Sequence, residues 1–259
     1  MVKGLDIFRE RLAAFSGSYI LIGGVACDNW FGSQGLTFRA TKDLDIVLLV
    51  EVLNPQVVAA MRAFVKEGGY EIQWRTSGSP KLYRFEKPTD ERFPVMLEFF
   101  SRNSDDFALT ESQTIIPVEL EPDYHSLSAI LLDDNYYELL QTHRVEQDGL
   151  PFATVDALIP LKVSAWLDLS ARRANGEKID SKSIDKHRND VFRLAATLPG
   201  EAGPEFAEKI VSALGRFLDA FPESSEQWNS ILASVKSTVG GNPRSATLRA
   251  AIQTYFRLH

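Results

Sequence analysis

The segment Asp43-Leu44-Asp45-Ile46-Val47-Leu48-Leu49-Val50 is an apolar run with two aspartates at its start. Its length and composition predict a buried β-strand. Side chains two positions apart on a strand point to the same face, so Asp43 and Asp45 should project together. Two adjacent carboxylates repel each other and resist ionisation unless a cation lies between them. The pair therefore predicts a site for a divalent cation, and such oxygen ligands suit magnesium.

The hydrophobic pattern predicts strands before about residue 150 and helices after it. A short strand at Tyr19–Ile22 is closed by Gly23-Gly24, and helices are predicted at 5–15, 25–31 and 55–68. Further strands are predicted at 70–74, 81–86, 95–100 and 113–120, and further helices at 155–169, 184–198, 204–221, 225–239 and 243–257. Strands followed by helices indicate an α+β fold. We expect a mixed β-sheet domain flanked by helices over residues 1–150, and an α-helical domain over residues 151–259.

Composition limits the class of protein. The chain has 259 residues, 44% of them hydrophobic, and a formal net charge of −7. The acidic balance argues against a protein that coats nucleic acid through its overall field, although the chain has locally basic regions around Arg172–Arg188 and Arg244–Arg257. The single cysteine, Cys27, excludes an intramolecular disulfide and is expected to be a buried, inert thiol. The sequence shows no signal peptide and no segment of about 20 apolar residues, so we expect a cytoplasmic protein without a membrane partner.

Two further features accompany the aspartate pair. Gly23-Gly24 lets the backbone approach a ligand closely, and the helix after it would offer free N–H groups to an anion. Glu98 lies in the apolar run Val95–Phe100, where an ionised carboxylate is costly unless it is paired or metal-bound. It could instead face water on an edge strand, or pair with Arg84 or Arg102. Three carboxylates beside a glycine turn are the arrangement that two-metal phosphoryl transfer needs.

These residues resemble the signature of the nucleotidyltransferase superfamily. The similarity extends to the branch that includes the AbiEii-type toxins of type IV toxin–antitoxin systems, and it covers roughly residues 18 to 195. In that branch a lysine-bearing strand follows the aspartate pair, as Lys81-Leu82-Tyr83-Arg84 does here. A later helix carries an aspartate and a lysine, as in Asp156–Lys162, and a further helix carries basic residues before an aspartate, as in Lys186–Asp190.

The resemblance implies a role for each matching residue. Asp43 and Asp45 would be ligands of Mg²⁺, in a two-metal site, with Glu98 as a third carboxylate that assists metal binding or activates the acceptor hydroxyl. The remaining residues would serve the NTP: Gly23 and Gly24 would contact its phosphates, Lys81 and Lys162 would neutralise the triphosphate, and Asp190 would order the lysine or the acceptor site.

The chain departs from the family pattern in one interval. Eighteen residues separate Gly24 from Asp43, which is longer than usual, and the extra length leaves open whether Ser33, Thr41 or Lys42 also touches the nucleotide. His187 is expected to be a partly exposed helix residue without a role in the chemistry.

Three functions remain open from the sequence. The first is an NTP-dependent nucleotidyltransferase that modifies a tRNA 3′ end or a protein hydroxyl, as the toxin of a type IV toxin–antitoxin system with a cognate antitoxin protein. The second is nucleotide transfer to a small molecule such as an aminoglycoside, which would need an acidic acceptor pocket; Asp133, Asp134 and Glu138 are its loose support. The third is a catalytically silent protein that binds a nucleotide or a partner.

Overall fold

The computed structural model describes residues 2–49, 51–52, 54–74, 81–101, 115–116 and 133–258, and for 72–74, 81–83, 101 and 115–116 only the backbone. The strands are β1 Tyr19–Ile22, β2 Asp43–Leu48, β3 Glu71–Trp74, β4 Lys81–Glu86, β5 Met96–Ser101, β6 Ile115–Ile116, β7 Arg144–Gln147 and β8 Leu150–Ala153. The helices are α1 Leu5–Leu12, a 3₁₀-helix Ala13–Ser18, α2 Gly23–Ser33, α3 Pro55–Gly68, α4 Asp134–Thr142, α5 Val155–Ala174, α6 Ser181–Ala195, α7 Glu208–Asp219, α8 Trp228–Val239 and α9 Ser245–Tyr255.

The described strands form one mixed sheet in the order β6-β3-β4-β5-β2-β1-β8-β7. In its centre, β2 runs antiparallel to β1 and parallel to β5, and β5 runs antiparallel to β4. Because β1 and β2 are antiparallel, the end of β1 lies beside the beginning of β2. The predicted α+β fold, with a mixed sheet, flanking helices and a helical C-terminal region, is confirmed.

Helix α3 shows why some boundaries could be predicted. The side chain of Asn54 accepts hydrogen bonds from the backbone N–H groups of Gln56 and Val57, and Pro55 occupies the first turn, where its missing N–H is not needed. Gly69 ends the helix in the left-handed conformation, with φ 60°. The predicted range, 55–68, is therefore confirmed.

Other boundaries differ from the prediction. Helix α2 begins at Gly23 itself, so the two glycines form the first helical turn instead of a turn before it. Strand β2 ends at Leu48, and the strand predicted at 113–120 is described only at Ile115–Ile116. Helix α4 and strands β7 and β8 were not predicted; all four residues of β7 are exposed, so the strand carries no hydrophobic signal.

The helical region packs onto the sheet region through α5, which contacts α2, α4, β8, α6 and α7. A cluster of aromatic rings then joins α5 to the later helices: Trp166, Phe192, Phe217, Phe221 and Trp228 lie with centroids 4.9 to 5.6 Å apart in neighbouring pairs. Most of the buried hydrophobic residues form one cluster that extends from Val2 to Phe256, and Leu169, Ile179 and Ile184 form a smaller second one. The division into domains at residue 150 stays a prediction.

Within the described part of the chain, every helix is too short or too polar to cross a lipid bilayer.

Candidate active site

A row of polar side chains crosses three neighbouring strands at the centre of the sheet, β4, β5 and β2. The register pairs Asp45 with Glu98 on β5 and with Ile22 at the end of β1, and it pairs Glu98 with Arg84 on β4. Paired residues on adjacent strands face the same side, so Asp45 and Glu98 project together, and Asp43 joins them by the two-residue alternation. Leu44, between the aspartates, is fully buried.

Close contact with this row and with Thr41 requires glycine at positions 23 and 24. Gly23 has φ +63°, and a Cβ placed on it would lie 1.7 Å from Oδ2 of Asp45. A Cβ on Gly24 would lie 2.3 Å from Oγ1 of Thr41. Only glycine allows the first turn of α2 to lie directly against a carboxylate and a hydroxyl, so the N-terminus of the helix faces the same space as the aspartates.

Glu98 is the most deeply placed carboxylate of the row, with 1% of its surface exposed. The Arg84 Nε donates a hydrogen bond to its Oε1 at 2.9 Å, and Glu98 also shares a hydrogen bond with Asp45. Burial raises the pKa of Glu98 well above its usual value, the negative charge of Asp45 raises it further, and the Arg84 guanidinium opposes both effects. Of the alternatives open from the sequence, pairing with Arg84 is therefore the one found.

Asp43 is the first residue of β2 and is partly buried. Burial raises its pKa, and the neighbouring Asp45 carboxylate raises it further, while Lys186, Arg84 and Arg39 lower it. The repulsion expected from the aspartate pair is thus present in the folded chain.

A buried ion cluster forms the opposite wall. Asp190 on α6 is fully buried, and its carboxylate binds three cations. Arg39 donates two hydrogen bonds, of 3.2 Å from Nε and 2.8 Å from Nη2; Lys162 Nζ lies at 3.0 Å and Arg193 Nη1 at 2.9 Å. Burial by itself would raise the pKa of Asp190, but the ion pairs with Lys162 and Arg39 outweigh it and leave that pKa well below its usual value.

A cleft separates the carboxylate row from the ion cluster. Its cavity volume is about 90 Å³, and it is partly open to solvent. Its polar lining consists of Gly23, Gly24, Arg39, Thr41, Asp43, Asp45, Glu98, Lys162, Lys186 and His187. One wall is therefore acidic, the other is basic, and the first turn of a helix lies between them.

The donor chemistry of the acidic wall fits a hard divalent cation, and Asp43 and Asp45 are the residues that would hold it. Within the residues that the structure describes, however, no group of three or more His, Cys, Asp and Glu side chains is arranged to hold a metal ion. Glu98 instead accepts a hydrogen bond from Arg84 and shares one with Asp45.

The structure brings most of the predicted site residues together. Asp43, Asp45, Glu98, Gly23, Gly24 and Lys162 line the cleft, and Asp190 lies directly behind Lys162. Lys81 is the exception: its backbone pairs with Ser101, three positions along β5 from Glu98, and its side chain lies outside the described residues. The functional roles of all these residues stay predictions.

Sequence reasoning missed Arg39 and gave Lys186 no specific role. Arg39 lies in the loop between α2 and β2, and 151 positions separate it from Asp190, so no local spacing could connect the two. Of the loop residues left open, Thr41 lines the cleft, while Ser33 bonds to its own helix at Trp30. His187 is partly exposed, as predicted, and it lines the cleft.

Cys27 takes no visible part in the cleft. Its thiol is completely buried, and burial raises its pKa to about 11, so it is protonated at neutral pH. The predicted burial of this cysteine is confirmed.

The fold and the cleft define an α+β protein with a helix N-terminus set between acidic and basic side chains. No family model matches the chain, and no curated protein matches it. Among solved structures it is similar to an antigenic nucleotidyltransferase-like protein from Paracoccidioides brasiliensis, with a TM-score of 0.40 and 11% identity, over 89% of this chain and 94% of that one. A likeness this distant does not transfer a function.

Replacing Asp190 by Asn should destabilise the protein by about 3–5 kcal/mol, because three cations would lose their buried counter-charge. Urea unfolding at neutral pH measures the change. The matched control is Asp185→Asn on the same helix, where an aspartate that is 49% exposed pairs with Arg188; its cost should be at most about 1 kcal/mol. Equal costs for the two variants would contradict the importance of the cluster.

Gly23→Ala should lower stability by roughly 1–2 kcal/mol through its left-handed backbone alone, with an added cost for displacing the Asp45 carboxylate. Gly32→Ala in the same helix meets open space and should be neutral or stabilising by up to about 1 kcal/mol. Chemical denaturation of both variants tests the contact, and a Gly23→Ala protein as stable as Gly32→Ala would disprove it.

Asp43→Asn should be more stable than the unmodified protein at neutral pH when a chelator is present. Folding raises the pKa of the Asp43 carboxyl, so ionising this group destabilises the folded protein at a pH above that raised pKa. The cost vanishes below the pKa of an aspartate in the unfolded chain, about 3.9, where the group is protonated in both states. The advantage in thermal midpoint should therefore shrink as the pH falls from 7 towards 4. Glu223→Gln, at an exposed position, should show no such trend.

Proposed function

We propose that the protein is a magnesium-dependent nucleotidyltransferase, which moves an NMP from an NTP to an acceptor hydroxyl. One observation carries the proposal: Asp43, Asp45, Glu98 and Lys162 line the same cleft as the two glycines of the first turn of α2. Repelling carboxylates next to an anion-binding helix terminus suit a substrate that brings a dication and phosphates together.

Each wall would have its own task in this reaction. Asp43 and Asp45 would hold Mg²⁺, which when bound polarises the α-phosphate and lowers the pKa of the acceptor hydroxyl. Glu98 would orient Asp45 through their hydrogen bond. Gly23 and Gly24 would offer backbone N–H groups to the phosphates, and Lys162, held by Asp190, would offer a positive charge to the triphosphate.

The overall reaction is a displacement at phosphorus. The acceptor oxygen bonds to the α-phosphorus, the bond from that phosphorus to the oxygen bridging the β-phosphate breaks, and pyrophosphate leaves. The proton of the acceptor hydroxyl passes to a carboxylate of the acidic wall. Asp43 is better situated for that step than Glu98, because Asp43 is partly exposed and Glu98 is buried.

The acceptor proposals differ in what supports them. The AbiEii-type resemblance favours a tRNA 3′ end or a protein hydroxyl, and with it the role of a toxin paired with an antitoxin protein in the cytoplasm. The small-molecule alternative loses its support, because Asp133, Asp134 and Glu138 are not among the lining residues of the cleft. Asp133 instead caps α4 and pairs with Lys209. The non-enzymatic alternative is a catalytically silent protein that binds a nucleotide.

Incubation with each α-labelled NTP and magnesium, with and without total tRNA, tests the proposal. Label should appear on an acceptor, and Asp43→Ala or Asp45→Ala should reduce transfer by about 10²–10³-fold, since metal polarisation is worth several kcal/mol. Asp185→Asn serves as the control for a lost surface carboxylate. Near-normal transfer by either alanine variant would refute the mechanism, and NTP binding without transfer would favour the silent alternative.

Expression in a bacterial host tests the role as a toxin. Growth should arrest when the unmodified chain is induced and continue when Asp45→Ala is induced to the same protein level, because the arrest would require the chemistry. Normal growth with an active enzyme would remove the toxin role and leave the transferase in place.

A further inference from the structure

Arg39 connects the two functional parts of the cleft. One edge of its guanidinium holds Asp190, and the side chain, 27% exposed, lines the cleft. We infer that Arg39 binds the terminal phosphates of the nucleotide, and the pyrophosphate formed from them, and that Asp190 is its positioning residue. The inference rests on the proposed function for the identity of the ligand, though not for its charge.

The charges of the ion cluster do not balance. Arg39, Lys162 and Arg193 bring three positive charges to the single negative charge of Asp190, a surplus of two within the cluster that the nearby Asp45 offsets only in part. Arg193 is turned away from the cleft, with its Nε donating to the backbone oxygen of Ser234. The positive charge that faces the cleft therefore comes from Arg39 and Lys162, and it suits an anionic ligand.

The geometry of Arg39 suits a bridge between a carboxylate and a phosphate. Its two bonds to Asp190 use Nε and Nη2, the paired edge of a guanidinium. Since a guanidinium has five N–H donors in a fixed plane, the Nη1 side can bind a second oxyanion without releasing the first. A lysine, with one compact ammonium group, cannot repeat this two-sided contact.

The position of Arg39 relative to the acidic wall also suits the binding of a polyphosphate. Its charge acts on Asp43, and the charge of Asp45 acts on it, so Arg39 is within electrostatic reach of both proposed metal ligands. A polyphosphate chain that reaches from those aspartates across the cleft would end against Arg39. The ring of Phe38, 5.0 Å from the guanidinium carbon, restricts the side chain from the other side.

Binding of inorganic pyrophosphate tests the inference without requiring transfer. Isothermal titration calorimetry with excess magnesium should show an affinity at least about tenfold weaker for Arg39→Ala than for the unmodified protein. The matched control is Arg193→Ala, which removes the same charge from the same carboxylate but lies outside the cleft lining; its affinity should stay within about threefold. Thermal midpoints show whether each variant is folded.

Arg39→Lys supplies a second comparison if Arg39→Ala does not fold. It keeps an ion pair for Asp190, yet it should also bind pyrophosphate about tenfold more weakly. Equal losses for Arg39→Ala and Arg193→Ala, unchanged affinity in Arg39→Lys, or no pyrophosphate binding by the unmodified protein would overturn the inference. Arg39-dependent pyrophosphate binding without NMP transfer would uphold the inference and refute the transferase. NMP transfer with an unchanged KM for the NTP in Arg39→Ala would uphold the transferase and refute the inference.

Discussion

The buried carboxylate of Asp190 is the constraint on which the arrangement of the cleft depends. An ionised group without access to water is stable only when cations surround it, and here they come from three parts of the chain. Arg39 attaches the loop before β2 to Asp190, Lys162 attaches α5, and Arg193 lies one turn further along α6 itself. Satisfying one charge therefore holds the helical region against the sheet region and puts a basic wall opposite the carboxylates.

The acidic wall shows the opposite balance. Asp43 and Asp45 lie side by side, Glu98 bonds to Asp45, and the pKa values of Asp43 and Glu98 are raised by burial and by neighbouring negative charge. These carboxylates lower the stability of the fold when no cation is bound. Such a cost is typical of a site whose ligand supplies the positive charge. Arg39 and Lys162 in the same cleft carry positive charge that suits an anion. A metal–polyphosphate complex meets both demands, which is the physical basis of the proposed activity.

The parts of the fold that could be predicted are those with a local cause. The range of α3 follows from Asn54, Pro55 and Gly69, whose roles at helix ends are properties of the residues themselves. The start of α2 could not be predicted, because glycine usually ends a helix or makes a turn. Here the carboxylate of Asp45 leaves no room for a Cβ at Gly23, and that is a contact between helix α2 and strand β2. Strand β7 was missed for a different reason: it is exposed throughout, so no apolar pattern marks it.

The sequence by itself determined that two carboxylates share one face of a buried strand and that a diglycine closes the strand before it. Both statements follow from the two-residue period of a strand and from the conformational freedom of glycine, which act within a few residues. Only the tertiary structure decided that Glu98 lies beside Asp45, that Arg84 holds Glu98, and that Arg39 meets Asp190. Those pairings depend on strand order, register and long-range ion pairs, because atoms far apart in the chain acquire neighbours only when the whole core has formed.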